Sequence, residues 1–212
     1  MALKFPQRLV LGTTALSVLL AVVVSIFHWS YTPKPLSFKT EGLPFLGANS
    51  APVEMVLFED FYCKHCKIFN ESILPEINKE FIEKGMAKFL IFPVQVIEGS
   101  KALANAAIAV QKIAPDRYFH YIQELFQYPE DKALSNGELL EVAEEVGGID
   151  LVKLQVCIET QNCLDEVEKN LSLIRDTMGH RVGLPALYVN GVLVPTTSIE
   201  YIRPYVMRGV PR

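Results

Sequence analysis

The chain has 212 residues, half of them hydrophobic and 21% charged, which is enough for one globular domain with a sizeable core and a segment outside it. Lys4 and Arg8 are the only charges before residue 30, so taking their +2 from the net −4 leaves −6 on the rest. A mildly acidic body without a stripe of Lys and Arg argues against nucleic acid as the main partner, because phosphate binding needs clustered cations.

Residues 1–31 read as a membrane anchor or a signal segment. The run Leu9 to Phe27 carries no charge. As a helix it would span about 28 Å, close to the hydrocarbon thickness of a bilayer. Trp29 and Tyr31 follow, rings suited to a membrane interface. Lys4 and Arg8 would stay on the cytoplasmic side and send the remainder outward. A cleaved secretory signal is the alternative, although the apolar run is long for one and no A-x-A-like site ends it. Both readings export the domain, as a single-pass protein of the cytoplasmic membrane or as a secreted or periplasmic one.

Residues 32–52 form a linker in which Pro33, Pro35, Pro44 and Pro52, with Gly42 and Gly47, discourage long regular elements. A short strand over Leu36 to Lys39 is compatible with the pattern. Val53 to Phe58 reads as a buried strand. A helix from about Cys63 to Lys84 follows, with Ile68, Phe69, Ile73, Leu74, Ile77 and Phe81 inward and a kink at Pro75. Ala87 to Val96 is expected to be a second strand.

Residues 99–180 change character. Helices are expected over Lys101 to Ile113 and Tyr118 to Phe126. Another covers Leu139 to Val146 behind a Ser135/Glu138 capping box and ends at Gly147-Gly148. Asp150 caps a short helix, and Asp165 and Glu166 open one that runs to about Met178. The chain then returns to strands. Ala186 to Val189 and Val192 to Val194 flank Asn190-Gly191, a strong hairpin signal, and Ile199 to Met207 closes as a helix. The order is α/β, a thioredoxin fold interrupted by an α-helical domain: residues 53–98, then the 99–180 insertion, then 181–212.

The chemistry concentrates at Cys63-Lys64-His65-Cys66, where the first strand hands over to the first long helix. Unpaired N–H groups and the dipole at a helix N-terminus stabilise an anion there, and the thiolate is the nucleophile of disulfide exchange. His65 can donate to the Cys63 sulfur, Lys64 adds a second cation, and Cys66, one step further in, becomes the buried resolving thiol. An inert disulfide in the turn is the bland alternative. Gly183-Leu184-Pro185 directly precedes a strand. A proline there suggests a cis peptide bond whose loop offers backbone polar groups to a cysteine-containing peptide, with an ordinary turn proline as the alternative.

Gly42-Leu43-Pro44, the stretch Phe58 to Cys66, the Ala-rich segment from Ala102 and Gly183 to Gly191 together resemble the DsbA-like thioredoxin family, over about residues 42–207. The resemblance implies disulfide transfer to newly exported proteins, with no cofactor and with a membrane redox partner that recycles the pair. It implies Cys63 as nucleophile, Cys66 as resolving cysteine, His65 as thiolate stabiliser, Pro185 as the cis-proline, and Leu184 and Gly183 at the substrate loop. Two positions depart from the family pattern. Leu57 stands where many members bury a carboxylate, and strand alternation is expected to send Glu59 and Asp60 in different directions. Leu184 replaces the more usual Thr or Val.

Cys157 and Cys163 are too far apart on one continuous helix to bond, but the polar Glu159 to Asn162 between them suggests a break. A structural disulfide stapling two helices is expected, with free thiols or a regulatory pair as alternatives. No metal site is expected. Disulfide donation leads the functional readings. A reductase or isomerase on the same scaffold is the runner-up, and a tethered metal-binding thiol protein is a more distant third. The chain leaves no room for the dimerisation module of an isomerase, so a monomer is expected.

Overall fold

The computed structural model describes residues 13–25, 35–129, 133–179, 181–196 and 198–209. The chain divides into two units, Met1–Pro35 and Leu36–Arg212. In the first, residues 13–25 are helical and their apolar side chains, Leu16 to Val24 among them, are exposed. The rest of the apolar run 9–27, and Trp29 and Tyr31 after it, lie outside the described residues. Among the described residues no helix is long and apolar enough to cross a membrane.

The second unit is built on β1 (Val53–Glu59), which lies inside a sheet of order β2-β1-β3-β4. β2 (Ala87–Pro93) runs parallel to β1, whereas β3 (Ala186–Val189) pairs antiparallel with it, and β4 (Val192–Val194) pairs antiparallel with β3. A strand flanked on both sides and covered on both faces should read as almost continuously apolar, and β1 does. Val53, Met55 and Leu57 enter the larger core, while Val56 and Phe58 enter the smaller one on the opposite face. The hairpin turns on Asn190 and Gly191, both at positive φ (46° and 77°), as a two-residue turn matched to strand twist demands. Gly191 is also required for space, since a Cβ there would lie 2.0 Å from the Leu36 carbonyl oxygen.

The short strand that the pattern allowed at Leu36 to Lys39 does not form. Instead the Leu36 amide reaches the Gly191 carbonyl (2.9 Å) and Phe38 is buried among Phe58, Phe92 and Tyr188. β2 stops at Pro93 rather than Val96: the Val94 amide still bonds the Glu59 carbonyl of β1, but beyond it the amides of Val96 and Ile97 turn to the Asp60 carboxylate.

One continuous helix, α1, follows β1. It comprises Lys64–Ile68, Phe69–Ile73, Leu74–Ile77 and Asn78–Ile82, the second and fourth segments being π-helical. Pro75 has no N–H to bond one turn back, and the turn just before it is π-helical. Cys66, Phe69, Leu74, Ile77 and Phe81 face the core. Ile68 does not, being 46% exposed, because a helix with Cys66 and Phe69 inward leaves it on the flank.

The insertion contains α2 (Lys101–Ile113), α3 (Tyr118–Leu125), α4 (Asn136–Val146), α5 (Leu151–Thr160) and α6 (Leu164–Met178). The capping box at Ser135 and Glu138 and the Asp150 cap both form as the sequence anticipates. Buried hydroxyls join the layers, with Tyr118 donating to the Ile91 carbonyl of β2 (3.1 Å) and Tyr121 to that of Leu139 (3.0 Å). α7 (Ile199–Gly209) closes the fold, and its Arg203 grips Glu80 of α1 through both carboxylate oxygens.

Candidate active site

β1 delivers the chain to the sheet edge, and α1 begins at once with Cys63 as its N-cap in extended conformation (φ −84°, ψ 108°). This conformation turns the sulfur back over the first turn, where it accepts the Cys66 amide at 3.3 Å. Cys63 is 7% exposed and Cys66 is sealed beneath it at 0%. Across from Cys63 the Leu184–Pro185 peptide bond is cis, and the Cys63 thiol reaches the Leu184 carbonyl at 3.7 Å. Leu184 and Pro185 are half-buried and Gly183 is exposed, so the loop has both a packed side and an open one. Lys64 and His65 both face solvent.

The two thiols are electrically unlike. The hydrogen bond to Cys66 lowers Cys63 to about 7 from 9.0; the amides of Cys66 and His65 also lower it, against burial and the Asp60 charge. Burial drives Cys66 far upward, helped by its bond to Cys63 and by Glu59. One cysteine ionises readily and its neighbour does not, the asymmetry an exchange site needs. The Cys66 thiol is the main stabiliser of the Cys63 thiolate, followed by the main-chain amides of Cys66 and His65; the His65 side chain is exposed.

The sequence pattern sends Glu59 and Asp60 in different directions but gives neither a place in the site; both are wholly buried. Glu59 lies two residues beyond Leu57, so strand alternation puts it on the Leu57 face, which is the face that covers Cys66. Its Oε2 accepts from Asn70 Nδ2 at 2.6 Å, and the same nitrogen donates to the Cys66 carbonyl at 3.0 Å. Burial raises the Glu59 carboxyl to about 8 against the Asn70 bond, with smaller upward contributions from Cys63 and Asp60. Glu59 therefore supplies the buried acid that Leu57 cannot. The period-two pattern from Leu57 was the signal that could have found it.

Cys157 and Cys163 lie far along the chain from this site, at the corner between α5 and α6, where Gln161 at φ 51° breaks the helix as the polar spacer suggested. All four cysteines are thiols in this structure. Buried Asn105 of α2 donates to the Cys157 carbonyl and accepts the Cys163 amide, each at 3.2 Å, so one side chain holds both residues.

The sequence profile of the thioredoxin family matches residues 39–206. The chain belongs to the DsbA-like, thioredoxin-fold disulfide oxidoreductases. Disulfide bond formation protein D of Bacillus subtilis (strain 168) is 32% identical over 158 residues, covering 73% of this chain and 70% of that protein. Among solved structures, oxidised BdbD from Bacillus subtilis superposes with a TM-score of 0.73 at 29% identity, covering 84% of this chain and 98% of that one. Chlamydia trachomatis DsbA gives 0.72 at 25% identity, covering 84% and 95%. The fold common to these relatives is a thioredoxin fold with a helical insertion, as the element order implies.

The opposed shifts make stability of the reduced protein depend on pH in two windows. Glu59 is raised from 4.5 to about 8, so its contribution is full below the lower value and is lost as pH climbs through about 8. Cys63 is lowered from 9.0 to about 7, so its contribution is present above the higher value and is lost as pH falls through about 7. Denaturant titrations of the reduced protein should therefore show Glu59→Gln flattening a decline between pH 5 and 8. Cys63→Ser should abolish a rise between pH 7 and 9.

Proposed function

We propose that this oxidoreductase donates disulfides to cysteine-containing proteins outside the cytoplasm through Cys63 and Cys66. The observation that carries the reading is the pairing of a thiolate-favouring Cys63 at a helix N-terminus with a sealed Cys66, opposite the Leu184–Pro185 loop. In the oxidised enzyme a substrate thiolate attacks the Cys63 sulfur, a mixed disulfide forms and Cys66 departs. Cys66 takes up a proton, which its strongly raised pKa favours and which Glu59, protonated below about pH 8, can supply. A second substrate thiolate attacks the substrate sulfur of the mixed disulfide, and Cys63 leaves as a thiolate. Two substrate thiols thus become a disulfide while the enzyme pair becomes a dithiol. A membrane redox partner then accepts those electrons. The Leu184 carbonyl and Gly183 offer main-chain positions along which the substrate backbone lies, and exposed Lys64 and His65 border the cleft.

The uncharged run 9–27 supports tethering at the membrane, with the catalytic unit on the extracytoplasmic side. The corner at Gln161 and the hold of Asn105 on both residues support a Cys157–Cys163 disulfide that staples α5 to α6 in the oxidising compartment.

Equilibration with glutathione should give the Cys63–Cys66 pair a potential of about −120 to −180 mV, the oxidising range of exchange proteins, whereas about −270 mV would make the enzyme a reductase. Cys66→Ser should accumulate mixed disulfides with exported substrates. Full-length chain should resist alkaline extraction from membranes, and release into the wash would refute the tether. Alkylation of the denatured exported protein should leave Cys157 and Cys163 unlabelled, and reducing them should lower Tm by several degrees. Full labelling of both would refute the staple.

A further inference from the structure

Asp60 follows the last residue of β1, and its carboxylate is wholly buried. Four donors converge on it. Oδ1 accepts from the Tyr62 amide at 2.8 Å. Oδ2 accepts from the amides of Val96 (2.7 Å) and Ile97 (2.8 Å) and from the Ser100 hydroxyl (2.9 Å). Three of the partners are main-chain N–H groups that can only donate, and they address both oxygens, a set that suits an ionised carboxylate and that a side-chain amide could not satisfy.

These donors come from three places. Tyr62 belongs to the cysteine turn, in which the Asp60 carbonyl also accepts the Cys63 amide at 3.0 Å. Val96 and Ile97 belong to the loop after β2. Ser100 immediately precedes α2, and its carbonyl accepts the Ala104 amide. With their amides turned inward, Val96 and Ile97 hold their side chains outward, 38% and 39% exposed. The loop packs closely on the turn, since a Cβ at Gly99 would sit 3.0 Å from the Tyr62 ring.

We propose that Asp60 is a positioning residue of the redox site, a fixed negative charge three residues before Cys63 that clamps the 95–100 loop to the cysteine turn and opposes the Cys63 thiolate. The proposal rests on the reading of Cys63 and Cys66 as an exchanging pair. Its chemical consequence follows from charge. The disulfide has no charge at Cys63, whereas the reduced site carries a thiolate, so a neighbouring anion weighs on the reduced form alone. The amides of the first turn push toward the thiolate and Asp60 pushes back. Cys63, Tyr62 and Glu59 all feel this charge in the same direction. The site is thereby less oxidising than its helix N-terminus alone would make it.

Two variants of the full chain weigh charge against hydrogen bonding. Asp60→Asn keeps the volume, removes the charge and replaces one accepting oxygen with a donor; Ser100→Ala removes one bond to Asp60 and keeps the charge. Thiolate absorbance should show Cys63 ionising at lower pH in Asp60→Asn. Equilibration with glutathione should favour its reduced form by about tenfold, the equivalent of one pKa unit, while Ser100→Ala stays within about twofold of the parent. An unchanged Asp60→Asn, or a Ser100→Ala shift as large, overturns the proposal. Should Asp60→Asn not fold, the 13C resonance of the Asp60 carboxyl in the parent reads the same contact. It should inflect at the pH where Cys63 titrates, and a flat trace overturns the proposal. A parent pair that never equilibrates with glutathione defeats the exchange reading instead, and the thiolate titration then still tests Asp60.

Discussion

The first turn of α1 has amides that the helix itself cannot satisfy, and the sulfur of Cys63 takes one of them. Because the sulfur is held over that turn, the thiolate is favoured, and because the thiolate is favoured, Cys63 is a good leaving group. The contact also dictates the backbone. Cys63 must be extended to cap the helix, which requires α1 to start within a few residues of the end of β1. Cys66 then falls inward one turn later, beneath its partner and out of reach of water. The inequality of the two thiols is thus a consequence of where a helix begins.

A buried thiol pair next to buried acids would be costly if every charge were unpartnered. The structure deals with the two acids differently. Asp60 receives four donors that stay with it. Among the described residues Glu59 has one donor, Asn70, and its other oxygen has no hydrogen-bond partner. An acid so sparsely supported keeps its proton until about pH 8. One carboxylate therefore serves as a structural anion and its neighbour as a store for a proton, although they are adjacent in the chain. The difference arises because Glu59 still obeys the strand, pointing with Leu57 into the apolar face, while Asp60 lies beyond the ladder, where loop amides are free to turn toward it.

The insertion rests on the sheet through a few polar bonds as well as through apolar packing. Tyr118 bonds the end of β2, and Asn170 of α6 donates to the Pro93 carbonyl at 3.0 Å. Ser100 links the start of α2 to Asp60. The helical domain is therefore connected to the cysteine turn by hydrogen bonds at both ends of the short loop that follows β2.

Local physics was legible in the sequence. The apolar run of β1, the Asn190-Gly191 turn, the Ser135/Glu138 capping box, the Gly147 stop and the placement of Cys63 at a helix start all depend on neighbours a few residues apart, and each appears where expected. What the sequence could not decide depends on distant partners. The end of β2 at Pro93 is set by amides that prefer Asp60 to the ladder, and the segment at Leu36 meets Gly191 across more than 150 residues instead of forming a strand. The Cys63 thiolate is stabilised first by the Cys66 thiol and then by backbone amides, because orientation rather than residue type decides which donor faces a sulfur. Leu184 meets Cys63 across 121 positions of sequence. Glu59 was within reach of the period-two rule, but only the packing of Asn70 and Cys66 around it makes it an acid that holds its proton near neutrality. Residue order set the elements and the nucleophile; burial, which depends on the whole fold, set the charges around it.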